Sequence, residues 1–198
     1  MTDTRRPDGT PPAPDVDRSG GLGPPIRTTR IHEGRIVNLR RSDYRRPDGM
    51  VVTREVMDHP GAVVIVPVEA GRVLLVRQPR EAVQEMTLEL PAGTLDHSGE
   101  EPLACARREL AEEVGRAAAL WRDMGGFYTA PAILTEFIHC FLATGLAPAE
   151  AADADEDEAI EVVEWPLDDL AALIDQARDA KTLVGLLRLD RELRAGRI

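Results

Sequence analysis

Residues 93–115 read GTLDHSGEEPLACARRELAEEVG, and no other stretch limits the fold so tightly. Pro102 is well placed as a first helical residue, and Leu103, Ala106, Leu110 and Val114 recur at the spacing of a buried stripe. Gly115 can supply the left-handed stop. The spacing predicts a helix over 102–114 with its apolar side inward and its acidic side outward. At 3.6 residues per turn, Glu109 is an i,i+3 neighbour of Glu112 and an i,i+4 neighbour of Glu113, so three carboxylates can point into one small volume. Two carboxylates ~6 Å apart at an effective dielectric near 20 repel by roughly 2–3 kcal/mol, more than an ordinary surface pair costs a helix. Positive charge belongs there. Arg108, at i,i+4 from Glu112, can supply one unit, and the hard oxygen cluster that remains suits Mg2+ or Mn2+ rather than zinc.

Around this helix the chain reads as alternating strands and turns. Residues 1–25 are rich in Pro, Gly and Asp and are predicted as a disordered tail. Strand patterns at 26–32, 35–44 and 50–59, the last two joined by a turn at Pro47-Asp48-Gly49, predict a small antiparallel sheet over 26–59. Further strands are expected at 62–68, 72–77 and 87–90, and beyond the helix at 120–127, 137–144 and 159–165, with an acidic loop at 150–158. Helix-spaced apolar residues recur over 167–177 and 182–193. This order predicts an α/β domain over 60–198, a mixed sheet with helices on both faces.

Composition narrows the function. At 198 residues and 43% apolar, the chain has room for one core and a small appendage. A net charge of −11 and a pI near 4.9 weigh against wrapping nucleic acid, whereas a small phosphorylated ligand remains accessible through a metal and a few arginines. Lys181 is the only lysine, and Ala180-Lys181-Thr182 lacks the glycines of a phosphate-binding P-loop. Cys105 and Cys140 have no metal-ligand spacing and read as buried thiols of a reducing compartment. No apolar run is long enough for a membrane span and no apolar signal segment opens the chain, so a cytoplasmic location is expected.

The frame Gly93-x6-Glu100-x7-Arg108-Glu109-Leu110-x-Glu112-Glu113-x-Gly115 resembles the Nudix box, the signature of the Nudix hydrolases. It departs from that box in two places: six residues rather than five follow the first glycine, and Arg116 stands where the box ends on an apolar residue. The insertion falls in the loop before the helix and leaves the spacing of the glutamates untouched. Pro131, sixteen residues beyond Gly115 in Phe127-Tyr128-Thr129-Ala130-Pro131, is a marker of the ADP-ribose pyrophosphatase subfamily. Similarity to that subfamily extends to Gly34-Arg35-Ile36-Val37, Thr53-Arg54-Glu55-Val56, Val76-Arg77-Gln78 and the segment 155–161. After the marker the chain reads Ala132-Ile133-Leu134-Thr135-Glu136, which keeps the subfamily's glutamate but not its glycine, aromatic and aspartate.

The resemblance implies an α/β/α sandwich preceded by a small antiparallel sheet, which in the subfamily exchanges between two subunits of a homodimer and helps to build the adenine pocket. It implies a nucleoside diphosphate substrate, ADP-ribose above others, cleaved by water to AMP and ribose 5-phosphate. Two or three Mg2+ ions would be held by Glu109, Glu112, Glu113 and the carbonyl of Ala92, with Glu100 pairing with Arg108 or reaching a metal through water. Arg108 would orient the cluster. Glu136, on a mobile loop, would be the base, with Glu113 as the alternative. Arg77 and Arg80 are candidate phosphate clamps, and Asp96 is a further candidate substrate contact. Ile36 could stack on adenine while Arg54 and Glu55 read its edge. A nucleotide sugar, NADH or a dinucleotide polyphosphate remains an alternative substrate, and a catalytically inactive ligand sensor is the alternative class.

Overall fold

The computed structural model describes residues 23–97, 99–149 and 160–198. The expected tail up to residue 22 and the acidic loop at 150–158 lie outside the described residues. The chain divides into two compact units, Met1–Met57 and Asp58–Ile198.

In the first unit, β1 (Arg27–Glu33), β2 (Asn38–Arg45) and β3 (Val51–Asp58) form a three-stranded sheet in that order. Strand β2 starts three residues later than the pattern suggested, because Gly34 N–H donates to the Val37 carbonyl (2.9 Å) and closes a bend there. The Pro47-Asp48-Gly49 turn is held by Gly49 N–H on the Arg46 carbonyl (2.8 Å) and by Met50 N–H on the Asp48 carboxylate (2.9 Å). All seven residues of β1 are exposed, as are Ile36, Val37, Met50 and Val51.

The second unit is built on β4 (Ala62–Glu69), whose residues 62–68 are buried without alternation. Such a run belongs to a strand covered on both faces. Val64, Val66 and Val68 join Leu75, Leu142, Leu173, Leu186 and Leu189 in one core, while Val63 and Ile65 join Leu74, Cys105, Leu110 and Phe141 in another. The first core is covered by α2 (Leu170–Gln176) and α3 (Ala180–Arg194), the second by α1 (Pro102–Val114). Helices on both faces of a mixed sheet make an α/β/α sandwich.

The sheet runs β10-β5-β4-β9-β8, with β5 at Arg72–Arg80, β8 at Arg116–Tyr128, β9 at Phe137–Pro148 and β10 at Glu161–Pro166. Strands β4 and β9 are parallel, and the other neighbours are antiparallel. Strands β4 and β5 pair only beside their hairpin, at Val68↔Val73 and Glu69↔Arg72, and then diverge. The gap is filled by β6 (Glu85–Glu89) on β5 and β7 (Ala92–Thr94) on β4. Strand β7 was not anticipated, because Pro91-Ala92-Gly93 reads locally as a turn and only the neighbouring β4 makes it a strand. The helix expected over 167–177 is a 3-10 turn, Leu167–Asp169, followed by α2. Both cysteines are buried and free, and no described helix is long and apolar enough to cross a membrane.

Candidate active site

A cleft of about 1250 Å3 opens where β4 and β5 diverge. Its walls are the acidic face of α1, strand β7 with the loop after it, the ends of β5 and β6, the start of α3, and the loop between β8 and β9. Ala92, Asp96, Arg80, Arg108, Glu109, Glu112, Glu113 and Glu136 all line it, although they come from four separate stretches of the chain, β5, β7 with the loop after it, α1 and the loop between β8 and β9.

Helix α1 begins at Pro102 and stops at Gly115, whose left-handed backbone (φ 67°) lets its N–H return to the Ala111 carbonyl at 3.0 Å. Cys105, Ala106, Leu110 and Val114 seat it in the core. That seating turns Arg108, Glu109, Glu112 and Glu113 towards the cleft. Arg108 Nη1 donates to Glu109 (2.7 Å) and Glu112 (2.8 Å), while its Nε and Nη2 straddle Glu100 at 3.2 Å each. The Glu100 contact, with its neighbours, raises the arginine above its ordinary pKa despite partial burial, and Arg108 in turn lowers the Glu100 carboxyl. Glu113 accepts from Ala92 N–H at 3.0 Å, tying helix to strand. Arg108 alone bonds three carboxylates, Glu100, Glu109 and Glu112.

Gly93 faces Glu109 so closely that a Cβ there would lie 1.9 Å from Oε1. The glycine leaves room for a carboxylate against the strand. Among the described residues no three His, Cys, Asp or Glu side chains are gathered about one metal position, because Arg108 draws two glutamates and Ala92 N–H the third. The donor chemistry, all carboxylate and carbonyl oxygen, suits a hard divalent cation.

The opposite wall carries charge that the sequence did not flag. Glu89, with 3% of its side chain exposed, accepts from Arg80 Nε (2.8 Å) and Nη2 (2.7 Å), from Thr87 Oγ1 (2.6 Å) and from Lys181. Burial alone would raise the carboxyl, but the Arg80 and Lys181 contacts outweigh it and bring Glu89 down to about 2. Lys181 also meets Asp179 (3.0 Å), which caps α3 by accepting from Thr182 N–H at 3.0 Å. Neither this cap nor the burial of Glu89 was anticipated from the sequence.

Glu136 directly precedes β9, and Thr129 directly follows β8. Since Tyr128 pairs with Phe137, the two face each other across the loop, and Thr129 Oγ1 donates to Glu136 Oε2 at 2.6 Å. His59 Nε2 lies 3.4 Å from Oε1. The carboxylate thus lies at the end of the loop between β8 and β9, one residue before β9, with neighbours on both oxygens.

Other nominated residues lie elsewhere. Arg77 does not line the cleft: alternation along β5 gives Gln78 and Arg80 to the cleft, and Arg77 meets its cross-strand partner Glu161 on β10 at 3.2 Å. Glu100 braces Arg108 from outside the lining. In the first unit, Ile36 is 70% exposed, Arg54 donates to the Thr53 carbonyl (2.8 Å), and Glu55 accepts from Arg41 (2.9 Å).

A family profile described as NUDIX domain matches residues 57–185. The chain belongs to the Nudix family, whose hydrolases generally use divalent metal ions. It is 37% identical over 176 residues to the ADP-ribose pyrophosphatase of Bacillus subtilis (strain 168), covering 86% of this chain and 95% of that one. It is 41% identical over 141 residues to the ADP-ribose pyrophosphatase of Mycobacterium tuberculosis (strain ATCC 25618 / H37Rv), covering 71% and 68%. A solved structure described as an ADP compounds hydrolase superposes with a TM-score of 0.79 at 24% identity, over 88% of this chain and 96% of that one, a likeness of fold.

Proposed function

We propose that the protein hydrolyses the pyrophosphate bond of ADP-ribose, releasing AMP and ribose 5-phosphate, with Mg2+ or Mn2+ as the metal. The observation that carries this reading is the single cleft in which the α1 carboxylates, the Arg80–Lys181 cations and Glu136 converge, in a Nudix chain that spans most of its ADP-ribose pyrophosphatase relative.

Glu109, Glu112 and Glu113 with the Ala92 carbonyl would hold two or three cations, and Glu100 would keep Arg108 in place between the carboxylates. A metal held there would offset charge on the phosphates and lower the pKa of the attacking water. Arg108 keeps Glu109 and Glu112 on one side of the helix by bonding both. Arg80, fixed by two hydrogen bonds to Glu89, presents its remaining edge to a phosphate oxygen. Glu136 takes the proton of the attacking water on Oε1 or Oε2. Asp96, exposed in the loop after β7, is within the cleft for a ribose hydroxyl. The exposed three-stranded sheet is read as a dimer-forming element, with Ile36, Arg54 and Glu55 contributing to an adenine pocket.

The test is a comparison of kcat/KM with Mg2+ across ADP-ribose, ADP-glucose, GDP-mannose, NADH, diadenosine polyphosphates, coenzyme A and 8-oxo-dGTP. ADP-ribose is expected among the best of the panel. A preference of tenfold or more for another member moves the substrate assignment to that compound.

A further inference from the structure

We infer that His59 is a positioning residue for Glu136, held in a single neutral tautomer whose Nε2–H faces the carboxylate. The inference rests on the reading of Glu136 as the base. Nothing in the sequence marked His59, which lies in the connection between β3 and β4.

Three contacts fix the ring and its root. Gly61 N–H donates to His59 Nδ1 at 3.1 Å, which requires that nitrogen to carry a lone pair. The proton of the neutral ring therefore resides on Nε2, the atom 3.4 Å from Glu136 Oε1. Gly61 reaches back because its backbone adopts φ +106°, a conformation that side chains disfavour, and a Cβ there would press on the Phe137 carbonyl at 3.3 Å. The His59 backbone is tied to the residue before Glu136: its N–H donates to Thr135 Oγ1 at 2.8 Å, and Thr135 Oγ1 reaches the His59 carbonyl at 3.3 Å. About a fifth of each side chain is exposed.

With Nδ1 committed to Gly61, the ring has no free acceptor. His59 cannot take the water's proton in place of Glu136; it can only donate. Its Nε2, 3.4 Å from Oε1, faces one carboxylate oxygen while Thr129 donates to the other, so the two bracket the carboxylate plane. A base held this way meets the attacking water without first losing side-chain freedom.

The experiment is a double-mutant cycle on kcat with saturating ADP-ribose, or with the best substrate of the panel, together with 15N NMR of the histidine rings in the wild-type enzyme. His59→Asn keeps an acceptor for Gly61 N–H but has no atom at the Nε2 position. His59→Gln restores an N–H donor there. The expected results are a 10²- to 10⁴-fold loss of kcat for Glu136→Gln, at least a tenfold loss for His59→Asn with KM within about threefold, and recovery of most of that loss in His59→Gln. In the Glu136→Gln background, His59→Asn should change kcat by less than twofold, since the group it positions is no longer a base. The wild-type ring should give the signature of the Nε2–H tautomer, a readout that does not depend on any variant folding. Near-normal kcat for Glu136→Gln would overturn the base assignment and this inference with it. A crippled Glu136→Gln with a fully active His59→Asn, fully additive losses, or an Nδ1–H tautomer would each overturn the role of His59 alone.

Discussion

Glu89→Gln tests whether the buried carboxylate is the anchor of the cationic wall. In the folded protein Glu89 titrates at about 2 against an ordinary value of 4.5, despite burial that by itself opposes ionisation. At ~1.4 kcal/mol per pH unit, that difference favours the ionised, folded form by roughly 3–4 kcal/mol at neutral pH. The amide keeps the shape and removes the charge. Lys181 retains Asp179 and Arg80 is partly open to solvent, so the loss should fall at or below the lower end of the 3–5 kcal/mol range for a broken buried pair, at about 2–3 kcal/mol. The sign in pH follows from the lowered pKa. The stabilisation is fully present above about pH 4.5 and is lost as the pH falls towards 2, so wild type and variant should converge over that interval. Urea denaturation of both proteins at a series of pH values from 7 downwards measures the gap. A variant as stable as wild type at pH 7, or a gap that does not narrow in acid, would refute the reasoning. Glu192, brought to about 2 chiefly by Arg197 against its own burial and then by Arg122, loses its contribution in the same window in both proteins and cancels from the difference.

Gly93→Ala should retain the fold yet lose at least tenfold in kcat, because the new methyl occupies the space of the Glu109 carboxylate; circular dichroism and turnover measured on the same sample decide it, and near-normal turnover would mean that Glu109 need not sit where it does. For assembly, light scattering at assay concentration should give the mass of a dimer if the exposed three-stranded sheet is its interface, whereas an active monomer removes the sheet from the site.

Helix α1 could be read from the sequence because its determinants are local. Pro102, the buried stripe and Gly115 mark its ends and its inner face, and the i,i+3 and i,i+4 spacing of Glu109, Glu112 and Glu113 follows from helix geometry alone. The sheet with helices on both faces was likewise legible, since runs such as 62–68 have no polar side to give to water. Three things were decided only by the tertiary structure. Alternation places Arg77 and Arg80 on opposite sides of β5, but which side becomes the cleft depends on where β4 parts from β5, a contact that no local pattern encodes. The charge on Glu89 is met by Arg80 on the neighbouring strand and by Lys181, which arrives from a helix ninety-two residues away. His59 meets Glu136 through a similarly long-range pairing, across seventy-seven residues, because β4 and β9 run side by side in the sheet. Local spacing fixes which groups share a helix face, whereas long-range strand pairing fixes which groups oppose them. The chemistry of this cleft depends on that opposition.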